Sequence, residues 1–264
     1  MSTKDNLILI AGDSWSVGEW NEERKLITHP GLAGYLSDDG YLVHNIGQSG
    51  NSNLDAVTKI DIGLSTARAC NQPVSKVFVF QTEWTRDFSR NHINVFDWFA
   101  QENLLFESIG YCLNPTDNFF DLFKINTPTD LATRVIQNFY AKLSELSARY
   151  NVEFYIIGGC ADAIDYTIAG VQVVCQSMTN LILTGQPLNN RPVYSYYHVI
   201  GTQNWLKKQF PNHLSELIDF YDRSEKKCHI MGVTPELFWP DGRHPNKNGH
   251  LILYNFLKTQ NCFN

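Results

Sequence analysis

Apolar positions in this chain gather into a few short, unbroken runs. Leu7-Ile8-Leu9-Ile10-Ala11 stops at Gly12-Asp13, Val77-Phe78-Val79-Phe80 stops at Gln81-Thr82, and Phe154-Tyr155-Ile156-Ile157 stops at Gly158-Gly159. Runs of four or five apolar residues closed by turn formers predict strands buried on both faces, as in a parallel sheet. Tyr41-Leu42-Val43-His44-Asn45 is a fourth, less apolar candidate. Between these runs the spacing predicts helices over residues 54–69, 131–150 and 246–259. The second places Val135, Phe139, Leu143 and Leu146 on one face, and Asn151 follows as its stop. Strand and helix in alternation predict an α/β sandwich around a parallel sheet.

Two stretches break that rhythm. Residues 88–129 are rich in aromatics and asparagine, and residues 163–227 carry several Gly, Pro and Asn residues. Both read as insertions on the loops of one domain spanning 1–264, with no internal repeat.

Composition narrows the partners. Twenty-one Lys+Arg against 27 Asp+Glu leave a net charge of -6, and 43% of residues are hydrophobic. An acidic surface excludes nucleic acid bound through its phosphates and is unsuited to anionic membranes. No apolar run reaches the roughly 18–20 residues a bilayer span needs. Leu7–Ile10 is also too short for a secretory signal, and no small-x-small cleavage site follows. Six cysteines, Cys70, Cys112, Cys160, Cys175, Cys228 and Cys262, form no C-x-x-C pair. They read as buried thiols of a reducing compartment, so the expected setting is cytoplasmic, without disulfide or zinc.

Three short segments carry candidate chemistry. Gly12-Asp13-Ser14 follows the first predicted strand, placing a hydroxyl at the sheet edge where α/β folds bind ligands. Asp241-Gly242-Arg243-His244-Pro245-Asn246 precedes the last predicted helix. Histidine can take a proton from serine and return it to a leaving group, given a carboxylate to fix its tautomer. Asn45-Ile46-Gly47-Gln48-Ser49-Gly50-Asn51-Ser52 follows the second strand, and its glycines allow a backbone N–H to face a cleft. Each segment alone reads first as a turn or a helix cap, and only their joint occurrence points to chemistry. His29, His44, His92, His198, His213 and His229 stand singly, without ligand spacing, and His250 falls within the last helix.

Taken in order, the three segments resemble the SGNH (GDSL-type) hydrolase family, from about Leu7 to the C-terminus. The resemblance implies a flavodoxin-like three-layer α/β/α sandwich and ester hydrolysis through an acyl-serine, with no metal or organic cofactor. By motif, Ser14 is the nucleophile, His244 the base and acid, and Asp241 the orienting carboxylate. The backbone N–H groups of Ser14 and Gly50 form two arms of the oxyanion hole.

The third block departs from the family. Where Gly-x-Asn-Asp is usual, this chain has Gln81-Thr82-Glu83-Trp84. Glu83 stands at the place of the third oxyanion donor, with Thr82 there if the register slips by one. An ionised carboxylate beside a developing oxyanion would repel it, so two arrangements are open. Glu83 turns to a cation, Arg86 or Arg243, which is the expected one. Alternatively burial keeps it protonated and donating.

The substrate expected is a small-molecule or carbohydrate ester, an O-acetyl group among the options. The aromatic insertions read first as simple packing, and the alternative makes Trp84, Trp98 and Tyr194 to Tyr197 a stacking platform for sugar rings or acyl chains. The rival functions are a non-catalytic binding or structural module that keeps the fold, and an O-acyltransferase.

Overall fold

The structure is a computed structural model that describes residues 6–21, 23, 25–89, 125–193, 200–239 and 244–263. Strand β1 is Leu7–Ala11, and all five of its side chains are buried. Its apolar run is two interleaved stripes. Leu7, Leu9 and Ala11 enter one core, while Ile8 and Ile10 enter another on the opposite face of the sheet. Strand β5 (Val74–Gln81) repeats the arrangement, with Val77 and Val79 in the first core and Phe78 and Phe80 in the second. So does β6 (Glu153–Gly158), with Phe154 and Ile156 opposite Tyr155 and Ile157. Unbroken hydrophobicity is thus a consequence of helices covering both faces.

Two further strands complete a parallel sheet. Strand β4 (Leu42–Asn45) pairs with β1 on one side, and β7 (Val171–Cys175) pairs with β6 on the other, in the order β4-β1-β5-β6-β7. Numbering only these five strands, the order is 2-1-3-4-5, the flavodoxin-like arrangement. A short antiparallel pair, β2 (Glu19–Trp20) with β3 (Ile27–His29), lies outside it.

Helix α1 (Ser14–Val17) follows β1 directly. The first core is closed by α3 (Asn53–Ala69), through Ile60, Leu64 and Ala67, and by α5 (Pro128–Tyr150), through Leu131, Val135, Phe139 and Leu143. The second is closed by α2 (Leu32–Asp38), α6 (Met178–Thr184) and α9 (Lys247–Thr259). Helix α4 is Arg86–Ser89, α7 is Ile200–Gln209, and α8 (Leu214–Gly232) contributes to both cores. The ends of the long helices follow their sequences. Ser52 and Asp55 form a capping box on α3, and Thr127 and Asp130 form one on α5. Asn151 takes the left-handed conformation (φ 54°) that stops α5.

One expectation is revised. Residues 163–227, read from the sequence as an insertion, contain the fifth sheet strand and the helix packed beside it. In β7 only Val171 and Cys175 are buried, and exposed Gln172 interrupts the run, as suits an edge strand. Most of 88–129 lies outside the described residues. Among the described residues no helix is long and apolar enough to cross a membrane.

Candidate active site

The paired register brings the ends of four strands to within two residues of one another. Ile10 lies beside Asn45, Ala11 beside Val79, and Gln81 beside Gly158. The segments that follow, 12–14, 46–53, 82–87 and 159–163, therefore meet at the carboxyl edge of the sheet. From β1 the chain steps outward to β4 and then returns to β5 on the other side. That reversal opens the crevice in which such sheets bind ligands.

Ser14 begins α1 and is nearly buried. The turn before it needs Gly12, whose φ is +136°; a Cβ there would lie 2.7 Å from the Phe80 carbonyl oxygen. Asp13 caps the helix, its Oδ1 accepting from the Trp15 N–H at 3.0 Å. His244 arrives from the far end of the chain, with Nε2 2.7 Å from Ser14 Oγ. Two backbone hydrogen bonds pin its segment. Trp239 N–H donates to the His244 carbonyl at 2.7 Å, and Asn246 N–H donates to the Leu237 carbonyl at 3.0 Å. Asn246 then caps α9 by accepting from the N–H groups of Asn248 and Gly249. For Ser14 to donate to Nε2, the imidazole proton must sit on Nδ1. Asp241, assigned from the sequence to hold it there, lies outside the described residues, as does Arg243.

The Gly50 turn is braced from several directions. Gly50 has φ +75°, and Asn51 N–H closes the turn onto the Gln48 carbonyl at 3.1 Å. Gln48 N–H and Asn51 Nδ2 both donate to the Gly12 carbonyl, at 3.1 and 3.3 Å. Asn45 reaches from the end of β4, accepting from Gly47 N–H at 2.9 Å and donating to the Ser16 carbonyl at 2.7 Å. The loop of the second motif is thereby tied to the turn that holds the serine.

The altered third block is a buried polar network. Gln81 donates to the Asp162 carbonyl at 2.9 Å and accepts from the Tyr140 hydroxyl at 2.7 Å. Thr82 exchanges a pair of hydrogen bonds with the Asn53 amide, and its hydroxyl donates to Asp13 Oδ2 at 2.7 Å. That hydroxyl proton is committed to Asp13 and does not serve a slipped register. Glu83 is 3% exposed, and its Oε2 accepts from Arg86 Nε at 3.1 Å. The cation expected from the sequence is therefore in contact. Burial nevertheless pushes the Glu83 carboxyl up to about 7, against the pull of Arg86 and with a smaller push from Asp13.

Several residues here escaped sequence reasoning. Cys160, at the end of β6, donates its thiol toward Glu83 Oε1 at 3.7 Å, and burial raises that thiol far above its ordinary range. Lys227 of α8 donates to the Cys160 carbonyl at 2.9 Å and pairs with buried Asp162 at 3.3 Å. No short motif marks these contacts, since they join segments far apart in sequence. Trp84 takes the packing reading: it is fully buried in the first core and offers no platform to a substrate. Trp98 and Tyr194 to Tyr197 lie outside the described residues. His250 is fully buried behind the site and does not reach it: Phe80 packs near its ring, and neither ring nitrogen has a hydrogen-bond partner among the described residues.

No protein-family model matches the chain, and no curated protein matches it. Among solved structures it is similar to the psychrotrophic esterase EstA from Pseudoalteromonas sp., with 13% identity, 97% of this chain and 96% of that chain covered, and a TM-score of 0.42. It is also similar to TesA, at 12% identity, 96% and 97% coverage and a TM-score of 0.41. A third is a lipase/acylhydrolase from Enterococcus faecalis, at 11% identity, 97% and 94% coverage and a TM-score of 0.39. The fold assignment rests on the strand order, and the site on its own distances.

Proposed function

We propose that this chain is a serine esterase of the SGNH type, hydrolysing a carboxylic ester through an acyl-serine intermediate. The observation that carries this reading is the 2.7 Å contact between Ser14 Oγ and His244 Nε2 at the carboxyl edge of the sheet. A nucleophile and a base within hydrogen-bond reach, beside a glycine turn, fit the requirements of acyl transfer.

Ser14 Oγ attacks the ester carbonyl carbon while His244 Nε2 takes the hydroxyl proton. The carbonyl π electrons move onto oxygen, and the oxyanion is met by the backbone N–H groups of Ser14 and Gly50. Collapse expels the alcohol, which takes the proton back from His244. Water then repeats the sequence on the acyl-serine and frees the acid. Asp241 is the proposed orienting carboxylate for Nδ1. With Glu83 turned to Arg86, the hole relies on its two backbone arms.

The proposed substrate is a small-molecule or carbohydrate ester, with a sugar O-acetyl group as the preferred case. Among the described residues Cys70, Cys160, Cys175 and Cys262 are free thiols, which suits a reducing, cytoplasmic setting. One observation favours a second reading: a carboxylate stands in the third block, as a non-catalytic module that retains the fold could tolerate. A fluorophosphonate probe separates the two. Stoichiometric labelling of Ser14, abolished in Ser14→Ala and in His244→Ala, is the expected result. A folded protein that stays unlabelled, and turns over neither graded p-nitrophenyl esters nor acetylated sugars, supports the second.

A further inference from the structure

The side chain that touches the most parts of this site is Arg86, which the mechanism above does not use. Its Nη1 donates to Asp13 Oδ2 at 3.0 Å and to the Asn51 carbonyl at 3.3 Å. Its Nε donates to Glu83 Oε2 at 3.1 Å, and its Nη2 faces Cys160 Sγ at 3.9 Å. These partners come from the segments after β1, β4, β5 and β6, so a single planar group spans four strand ends. Asp13 immediately precedes the nucleophile, and Asn51 immediately follows Gly50. Each neighbour of a proposed oxyanion donor is thus held by the same nitrogen.

We propose that Arg86 is the positioning residue of the oxyanion site: its rigid fork fixes the Ser14 and Gly50 turns relative to each other, and its charge offsets the carboxylate that stands in the third block. The proposal rests on the serine-hydrolase reading and assigns that reading a residue it lacked. Guanidinium is suited to the task because its donors point in fixed directions within one plane. A lysine ammonium could keep the charge but could not bridge these four partners from one planar frame. The charge is needed because Asp13 and Glu83 are both buried, at 0% and 3% exposure, beside the place where negative charge would develop.

Glu83 is faced by Arg86 from its own segment, by Asp13 from the first turn and by Cys160 from the segment after β6, with Lys227 of α8 holding the Cys160 carbonyl. Removing Arg86 leaves Glu83 with Asp13 as a like-charged neighbour and, among the described residues, no cation in contact. Its ionisation then moves into the alkaline range and acts directly against the oxyanion.

The test uses inactivation of the full chain by a fluorophosphonate, which needs no knowledge of the substrate and separates the maximal rate kinact from the affinity KI. Arg86→Met is expected to lower kinact by about 100-fold, the scale on which single oxyanion-hole donors act, with KI within about threefold. The variant should also acquire an alkaline limb between about pH 7 and 9 that wild type lacks. Arg86→Met/Glu83→Gln should lose that limb and regain at least about tenfold in kinact. Arg86→Lys, which keeps the charge and is the fallback should Arg86→Met not fold, should fall about tenfold with no alkaline limb. The proposal is overturned by Arg86→Met or Arg86→Lys within about threefold of wild type. It is equally overturned by a loss confined to KI, or by a double variant no better than the single one. A folded wild type that is not labelled fails differently: it removes the hydrolase reading itself, and this proposal with it.

Discussion

The buried imidazole of His250 makes a prediction about stability that is independent of catalysis. Gly31 packs its backbone on the ring, so that a Cβ there would stand 2.9 Å from Cε1, and Phe80 lies on another side. Burial drives the His250 pKa down to about 3 from the ordinary 6.5, with His29 and His244 adding to the effect. The folded chain therefore holds this group neutral while the unfolded chain protonates it. Its contribution to stability is fully present above about pH 6.5 and is lost as pH falls from there toward 3. At pH 4.5 the linkage relation puts that loss at about 2.5 kcal/mol, a figure set by the unfolded value because 4.5 lies well above 3. For a chain of this length that is a fall of about 5 °C in Tm. His250→Leu removes the titration. It also removes two buried ring nitrogens without partners among the described residues, at about 1–3 kcal/mol each, against some loss of ring packing. The variant should be no less stable than wild type at pH 7.5. Urea unfolding of both proteins at pH 7.5 and 4.5 measures the difference directly, since every other acid-titrating group is common to the two. The stability gap should shift toward the variant by about 2.5 kcal/mol on acidification. Parallel behaviour of the two proteins, within about 0.5 kcal/mol, would refute a buried neutral His250.

Glu83 makes the opposite pH prediction. Its folded pKa is raised, so its contribution is fully present below about 4.5 and is lost as pH rises through about 7. Glu83→Gln should therefore gain stability relative to wild type between pH 4.5 and 7.5 in the same urea titrations, and a flat difference would count against a buried carboxyl titrating there. Gly47 tests the brace between the second motif and the nucleophile: a Cβ would fall 1.9 Å from Ser16 Oγ, inside the helix that Ser14 begins. Gly47→Ala should cost about 1–3 kcal/mol and slow fluorophosphonate labelling of Ser14 at least about tenfold. Labelling at the wild-type rate would show that the loop and α1 are not rigidly coupled.

What the sequence displayed of the fold was whatever needed both faces of a strand buried. β1, β5 and β6 announce themselves because Leu7–Ala11, Val77–Phe80 and Phe154–Ile157 must satisfy two cores at once. β7 did not, because an edge strand can carry an exposed Gln172 mid-run without penalty. Of the two readings open for Trp84, packing and a stacking platform, the structure shows packing. Its position after β5 fixes its distance from the site but not the direction of its ring, which points into the core. Ser14 and His244, the proposed nucleophile and base, each sit in a short turn beside a predicted element, which is what singled them out in the sequence, and the structure brings them to 2.7 Å. Arg86 was not singled out as a bridge, because its partners are Asp13, Asn51, Glu83 and Cys160, and only the folded register of four strands brings them within reach.

That register also bears on whether the altered third block is a defect. A block that had merely lost its donor would leave buried polar atoms stranded, and a half-satisfied network is worse than an apolar one. Instead Gln81 is held by Asp162 and Tyr140, Thr82 by Asn53 and Asp13, and Glu83 by Arg86. Three consecutive buried polar side chains each find a partner, and two of those partners, Asp13 and Arg86, sit in or reach the Ser14 and Gly50 turns. A neutral amide would offer the oxyanion one more hydrogen bond. A carboxylate cannot, yet it can anchor a cation, and that cation reaches both neighbouring turns as an amide at position 83 could not. On the proposed reading the third block exchanges a direct donor for a frame that holds the two backbone donors at Ser14 and Gly50, and such a frame is useful only if there is an oxyanion for them to meet.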